Sequence, residues 1–197
     1  MEYSSLKDEV LNEINKALSG INLKQHKSLI DNLCKGNRIF LIAIGRVFLS
    51  LQCLGKRLSH LGLDVEIVGS ITEKPITKKD LLIVASGSGE SILPLAITQK
   101  AKQIGCRIFH ITSAPKSRIR SLADFVLEIK TPTKIVEKNI TSESLFDMSS
   151  REEKSTQPMS SLFDQVLHIY GDILSIEIIK KLKLDKFKIL KNHANLE

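Results

Sequence analysis

The sequence contains no apolar run that approaches the roughly 20 residues needed to cross a bilayer. Its first segment, MEYSSLKDEVLNEINKAL, is charged and amphipathic, and it lacks the apolar centre of a secretory signal peptide. The pattern therefore predicts a cytoplasmic protein with no membrane partner. At 197 residues the chain is long enough to bury a sizeable core as one domain.

Cysteine is scarce as well, with Cys34, Cys53 and Cys106 as the three in the chain. Their number is odd, they are far apart, and there is no CxxC pair and no histidine at ligand spacing. A disulfide framework and a zinc site are therefore both disfavoured. We expect reduced and mostly buried thiols.

Aromatic residues make up only 5% of the chain, and tryptophan is absent. The formal net charge of +7 is scattered along the sequence and does not form one basic stripe. Because single-stranded nucleic acids bind aromatic platforms and basic surfaces, this composition disfavours nucleic acid as a partner. A positive balance also suits an anionic small substrate, since it raises the local concentration of phosphates.

Strand-like and helix-like segments alternate through the middle of the chain. Five apolar runs predict strands, at residues 38–45, 64–69, 80–86, 106–112 and 124–130. Strands that alternate with helices indicate a parallel sheet with helices on both faces. The predicted fold class is therefore α/β, a three-layer α/β/α sandwich with a five-stranded parallel sheet.

The same reading divides one domain, residues 1–197, into four successive parts. Residues 1–36 predict N-terminal helices, 37–130 the parallel α/β core, and 131–158 a long polar loop without periodicity. Residues 159–197 predict a C-terminal helix, as far as 182, and a tail. The broad apolar stripe of this helix would pack on the sheet, on a partner subunit, or on both.

The segment SGSGES directly follows the strand-like run DLLIVA and precedes a helix. In parallel sheets, ligands bind outside the carboxyl ends of the strands, so the position favours a binding site. The loop matches neither a Walker motif, which needs a lysine, nor the GxGxxG dinucleotide pattern. Its glycines permit inward-facing N–H groups and its serines add hydroxyl donors, as a phosphate cradle requires. The predicted ligands are Ser86, Gly87, Ser88, Gly89, Glu90 and Ser91. A plain turn in which Ser88 or Ser91 only caps the following helix is the alternative.

These residues resemble the SIS (sugar isomerase) domain family. Within that family, the motifs QPMSSLFDQ and HANLE, together with GKRLSHLG and LADFVLEIKTPTK, are most similar to the 6-phospho-3-hexuloisomerase branch. The resemblance covers most of the chain. It implies a flavodoxin-like sheet, a phosphorylated sugar as substrate, interconversion of a 3-hexulose 6-phosphate and fructose 6-phosphate, and no metal or cofactor. It also implies a homo-oligomer, dimer or tetramer, with sites at subunit interfaces and the C-terminal helix packed there.

By the same resemblance, Asp164 occupies the position of the family's catalytic glutamate, and His193 matches the histidine of HANLE. Gly45 and Arg46 match part of a GxGRSG loop after the first strand. Without the resemblance, Asp164 would be interpreted as a first-turn helix carboxylate favoured by the dipole, and His193 as a solvated surface residue.

The chain departs from the family pattern on the side opposite the serine loop. AIGRVF stands where GxGRSG is expected, so that Val47 and Phe48 replace a serine and a glycine. The aspartate at 164 is one methylene shorter than glutamate, and Asn192 replaces an arginine. A non-catalytic sugar-phosphate-binding protein therefore stays the alternative function. A SIS-type transcription regulator is disfavoured, because about 36 residues before the first strand are too few for a DNA-binding module.

Overall fold

The computed structural model describes residues 2–132, 155–193 and 195. Within these residues the chain forms seven α-helices and five β-strands. The helices are α1 (Tyr3–Ser19), α2 (Leu23–Leu33), α3 (Gly45–His60), α4 (Ile92–Ile104), α5 (Arg118–Leu122), α6 (Ser161–Leu182) and α7 (Lys186–Lys191). The strands are β1 (Ile39–Ile42), β2 (Val65–Ile67), β3 (Leu81–Ala85), β4 (Arg107–Thr112) and β5 (Phe125–Glu128).

All five strands join one parallel sheet in the order β2-β1-β3-β4-β5. The central strands β1 and β3 are buried at every residue, and β4 at all but its first. Because helices cover both faces, these strands are continuous apolar runs and do not alternate with polar residues. The predicted fold class, an α/β sandwich around five parallel strands, is confirmed.

Four helices cover one face of the sheet and two cover the other. On the first face, α1, α2, α3 and α6 bury a large apolar core that includes Leu29, Leu54 and Leu167. On the second face, α4 and α5 pack through residues such as Leu95 and Ile119 on the opposite side chains of β1, β3 and β4. Each fully buried leucine or isoleucine contributes about 1.5–3 kcal/mol relative to an exposed one.

Helices α3 and α6 lie side by side and run in the same direction. Arg46 contacts Asp164 near the start of both helices, and Arg57 contacts Asp172 farther along. Between these two ion pairs, Gly171 of α6 faces Leu54 of α3. An added Cβ at Gly171 would lie 3.5 Å from the Leu54 side chain. The absence of a side chain there allows the two helices to approach closely.

The start of the C-terminal helix differs from the sequence prediction, whereas its end does not. The C-terminal helix begins at Ser161 and not at residue 159, because Met159 and Ser160 adopt left-handed backbone conformations with φ of 58° and 61°. Helix α6 ends at Leu182, as far as the predicted helix reaches, and Lys183 after it adopts a left-handed conformation with φ of 50°. Asp185 then caps the separate helix α7 with its side chain.

Three further expectations concern the polar loop, the cysteines and membrane-spanning segments. The predicted loop at 131–158 lies largely outside the described residues. The cysteines are all free thiols, but only Cys106 is buried, whereas Cys34 is partly exposed and Cys53 exposed. Within the described part of the chain, none of the helices combines the length and apolarity required to cross a bilayer.

Candidate active site

The serine loop and the first turn of α3 meet at the same edge of the sheet. Strand β1 is paired with β2 on one side and with β3 on the other, so the chain order reverses between β1 and β3. Crevices for ligands form at such switch points, outside the carboxyl ends of the strands. The loop after β1 leads into Gly45 and Arg46, and the loop after β3 is the segment 86–91.

The serine hydroxyls are turned toward one another inside the loop. Ser86 is buried, and its hydroxyl lies 3.2 Å from the hydroxyl of Ser91 in a shared hydrogen bond. The backbone N–H of Gly89 donates to the Ser86 hydroxyl at 3.1 Å, and the N–H of Glu90 donates to the Ser88 hydroxyl at 3.3 Å. Ser91 occupies the N-cap position of α4 but makes no side-chain capping bond. Ser91 therefore does not cap α4 with its side chain, and phosphate binding by these hydroxyls stays a prediction.

The floor of the loop is attached to β4 and to the turn that follows it. The carbonyl of Gly87 accepts hydrogen bonds from the Thr112 hydroxyl and the Ser113 N–H, both at 3.1 Å. Gly89 has a φ of 65°, and a Cβ there would lie only 2.1 Å from the Ser117 hydroxyl oxygen. Glycine at 89 is thus required both by the left-handed backbone and by the space available.

The carboxylate of Glu90 joins the loop to α5 through Arg118. It accepts from the Arg118 N–H at 2.8 Å and from the Arg118 Nε at 2.5 Å. Burial opposes ionisation of this carboxyl, but the bonds from Arg118 outweigh it and lower the pKa of Glu90. The predicted role of Glu90 as a phosphate ligand stays a prediction, since its carboxylate is already engaged by this arginine.

Asp164 lies in the first turn of α6 and is 7% exposed. The Arg46 Nε donates to its Oδ2 at 3.0 Å, and the Ser50 hydroxyl donates to its backbone carbonyl at 3.0 Å. Its neighbour Phe163 packs its ring on Gly87 of the serine loop, 3.5 Å from where a Cβ would stand. The structure therefore places Asp164 beside Arg46 and next to a phenylalanine that contacts the serine loop.

The side chains that replace the family's serine and glycine after β1 are partly buried. Val47 and Phe48 lie in the first turn of α3 and pack against the core, whereas Gly45 and Arg46 are exposed. Gly45 has a φ of 61° and nothing within 4 Å of an added Cβ. The departure from the pattern thus removes a hydroxyl from this turn, while Arg46 stays directed at Asp164.

His193 lies at the other end of α3. Its ring stacks against His60 with centroids 4.7 Å apart. His60 is the last residue of α3 and Arg46 is near its start, a separation of about 21 Å along the helix axis. Within one chain, His193 therefore does not reach Asp164 or the serine loop.

Three residues at this site were not predicted from the sequence. Ser117 and Arg118 contact Gly89 and Glu90, and His110 on β4 lies beneath the loop with its Cε1 3.1 Å from an added Cβ of Gly89. The available signal was a histidine inside the apolar run RIFHIT. Such a residue is usually part of a core, and the sequence alone does not indicate which loop it faces.

The site consists of the serine loop, for which anion binding is predicted, and the buried carboxylate of Asp164. Serine hydroxyls, loop N–H groups and a helix start are the kinds of group that bind a phosphate, and a carboxylate is the kind that can accept and return a proton. The roles of these residues stay predictions. Among the described residues, no group of three or more His, Cys, Asp or Glu side chains is placed to hold a metal ion.

Comparison with curated proteins gives relatives along nearly the full chain. The chain is 31% identical over 189 residues to a 3-hexulose-6-phosphate isomerase of Bacillus subtilis (strain 168), covering 96% of each protein. It is also 31% identical over 188 residues to a protein of the same name from Mycobacterium gastri, covering 95% of this chain and 88% of that one.

Solved structures and family models lead to the same family. A crystal structure of a hypothetical protein from Methanococcus jannaschii superposes with a TM-score of 0.78 at 30% identity, covering 98% of this chain and 99% of the other. For that protein a molecular function of 3-hexulose-6-phosphate isomerase has been inferred. The model of the SIS domain matches residues 32–152. The chain therefore belongs to the SIS domain family, and the resemblance predicted from its serine loop is confirmed.

Proposed function

We propose that this protein is a sugar-phosphate isomerase that interconverts a 3-hexulose 6-phosphate and fructose 6-phosphate. The observation that carries the proposal is the place of Asp164 in the first turn of α6, next to Phe163, whose ring packs on Gly87 of the serine loop. Relatives named 3-hexulose-6-phosphate isomerase, at 31% identity over most of the chain, support it.

The reaction moves a carbonyl from C3 to C2 through a cis-enediol. Asp164 removes the proton from C2 and returns it to C3, while a second proton moves from the oxygen on C2 to the oxygen on C3. No redox step or group transfer is involved, so a single carboxylate can serve as both base and acid. Arg46 holds this carboxylate through its Nε at 3.0 Å and fixes the direction of the oxygen that takes the proton.

The serine loop would bind the phosphate of the substrate. Ser86, Ser88 and Ser91 supply hydroxyls, Gly87 and Gly89 supply backbone N–H groups, and α4 directs its N-terminus to the same point. The remote phosphate then provides binding energy that orients the reacting carbons against Asp164.

We further propose that His193 enters the site from a second copy of the chain. In one chain it stands at the far end of α3, stacked on His60, whereas its predicted role is proton transfer on the oxygen side. Exposed apolar residues on α6, namely Ile169, Ile173 and Ile176, offer a surface on which another copy can pack. The free thiols favour a reducing compartment, and we place the enzyme in the cytoplasm.

Replacement of Asp164 by asparagine tests the proposal directly. In a coupled assay that follows fructose 6-phosphate, we expect Asp164→Asn to lower kcat by about 10²–10⁴-fold, because a general base is removed without loss of shape. The matched control is Asp172→Asn on the same helix, where an exposed carboxylate pairs with Arg57 at 3.3 Å. This variant should keep wild-type kcat.

The assay also decides between the enzyme and the non-catalytic alternative. Val47 in place of a serine is the observation that favours a protein which binds sugar phosphates without converting them. In that case the wild type would show no turnover, yet fructose 6-phosphate would raise its melting temperature. If phosphosugars neither turned over nor stabilised the protein, the proposed site would be wrong.

A further inference from the structure

His110 is a fully buried titratable residue in the middle of β4, between Phe109 and Ile111. Neither ring nitrogen has a hydrogen-bond partner of ordinary geometry. A buried polar group without a partner is destabilising, and an aliphatic side chain of similar size would avoid that cost. Core packing alone therefore does not explain why position 110 is a histidine.

The surroundings of His110 belong to the serine loop. Its Cε1 lies 3.1 Å from the position of an added Cβ on Gly89, where the Ser117 hydroxyl also stands. Burial, and the nearby Arg120 cation, lower the pKa of His110 to about 4, although an interaction with the Ser86 carbonyl opposes this shift. At neutral pH the ring is uncharged and carries one N–H donor and one acceptor nitrogen.

The Ser86 carbonyl is the acceptor that this ring faces. The interaction with the Ser86 backbone raises the pKa of His110 against the effect of burial, yet neither ring nitrogen makes a hydrogen bond of ordinary geometry in this structure. At present the Ser86 carbonyl accepts a hydrogen bond from the N–H of Gly89 at 3.1 Å. The same N–H also points at the Ser86 hydroxyl at 3.1 Å. One donor thus serves two acceptors within the loop.

An anion in the loop would compete for that donor. A phosphate is held by inward-turned backbone N–H groups, and the N–H of Gly89 is one of the few that the loop offers. When this N–H turns to phosphate, the buried carbonyl of Ser86 loses its partner. An unpaired carbonyl and an unpaired imidazole N–H would then lie beside each other, and a bond between them satisfies both.

We propose that His110 is a positioning residue of the phosphate cradle, whose neutral imidazole N–H donates to the Ser86 carbonyl when phosphate occupies the loop. The bond replaces the one that Gly89 gives up and holds the turn in its anion-binding conformation. This inference rests on the proposed function insofar as the loop binds the substrate phosphate. It assigns to His110 a role in affinity and not in proton transfer.

The test compares donor and non-donor side chains at position 110. Relative to wild type, His110→Leu should raise KM for the sugar phosphate, and Kd for inorganic phosphate, by roughly fivefold to fifteenfold, because one hydrogen bond of the bound state is lost. Its kcat should change less than about twofold, since the bond acts through phosphate affinity alone. His110→Asn or His110→Gln, whose amide N–H can donate, should restore most of the affinity in at least one case. The control is Ile108→Val, a buried change on the same face of β4.

A spectroscopic measurement on the wild type covers the case in which the leucine variant does not fold. With ¹⁵N-labelled histidine, addition of inorganic phosphate should shift the ring N–H proton of His110 downfield and slow its exchange with water. Saturation with phosphate without such a shift would overturn the proposal, as would unchanged KM and Kd in a folded leucine variant. A protein that binds phosphate without turnover would refute the isomerase function while the His110 comparison still stands. If the wild type did not bind phosphate at all, both would fail.

Discussion

At the residue scale, Gly89 shows how backbone conformation and space act together in the serine loop. We expect Gly89→Ala to abolish measurable binding of fructose 6-phosphate, because its Cβ would stand 2.1 Å from the Ser117 hydroxyl oxygen and the loop must move. The matched control is Gly36→Ala at the opposite edge of the sheet, where φ is 74° and nothing lies within 4 Å of the added Cβ. Both variants should lose about 1–2 kcal/mol from left-handed strain. Thermal denaturation measures the backbone strain that both variants share, whereas KM reports the movement of the serine loop expected only in Gly89→Ala. Equal KM values for the two variants would contradict the close packing at Gly89.

The same scale shows what the sequence could predict of the site and what it could not. The residue types of SGSGES and their place after β3 predict an anion cradle, since both follow from local chemistry and strand order. The pairing of Arg46 with Asp164 joins residues 118 positions apart, and only the resemblance suggested that they share a site. His110 was missed because a lone histidine in an apolar strand does not reveal the loop above it.

At the scale of elements, the start of α6 depends on a contact made by α1. The carboxylate of Glu13 accepts from the Ser155 hydroxyl at 2.7 Å, the Thr156 N–H at 3.0 Å and the Gln157 amide at 2.8 Å. These three residues directly precede the left-handed turn that leads to Asp164. The contact therefore fixes the position from which α6 begins.

This contact predicts a pH-dependent stability. Burial opposes ionisation of Glu13, but the bonds from residues 155–157 prevail and lower its pKa from the ordinary value of 4.5. Because the folded pKa is the lower one, the stabilisation is complete above pH 4.5 and is lost as the pH falls through the folded pKa. We expect Glu13→Gln to lower the melting temperature at pH 7 by about 2–4 °C, and to lower it progressively less below pH 4.5.

Melting curves recorded by circular dichroism between pH 7 and pH 3 measure the difference between the two proteins. Glu9→Gln, one turn earlier on the same helix, provides the control and should follow wild type at each pH. A constant difference between wild type and Glu13→Gln across this range would show that the carboxylate contributes nothing through its charge.

Elements also show the limits of sequence patterns for the fold. The five strands were predictable because a strand covered on both faces must be apolar throughout. The first residue of α6 was not, because two consecutive non-glycine residues in the left-handed region, Met159 and Ser160, have no signature in composition. Such conformations persist only when the surroundings impose them, and here they lie between the Glu13 contact and the first turn of α6.

At the scale of the whole molecule, the two predicted catalytic residues stand at opposite ends of α3. Asp164 meets Arg46 near its start, and His193 stacks on His60 at its end. If both act on one substrate, the histidine must come from another copy of the chain. The exposed apolar residues of α6 and a symmetric assembly would permit this arrangement.

Mixed oligomers of two inactive variants test this arrangement. Asp164→Asn and His193→Asn should each lose most of their activity alone, but co-expression should restore turnover. In a symmetric pair of unlike subunits, one of the two sites combines an intact aspartate with an intact histidine, so random mixing should recover about a quarter of wild-type activity. The control replaces the His193→Asn chain by one carrying both substitutions, which leaves every mixed site defective. If isolated mixed oligomers stayed inactive, His193 would not be shared between chains, and the proton on the oxygen side would have to be moved by a group on the same chain as Asp164.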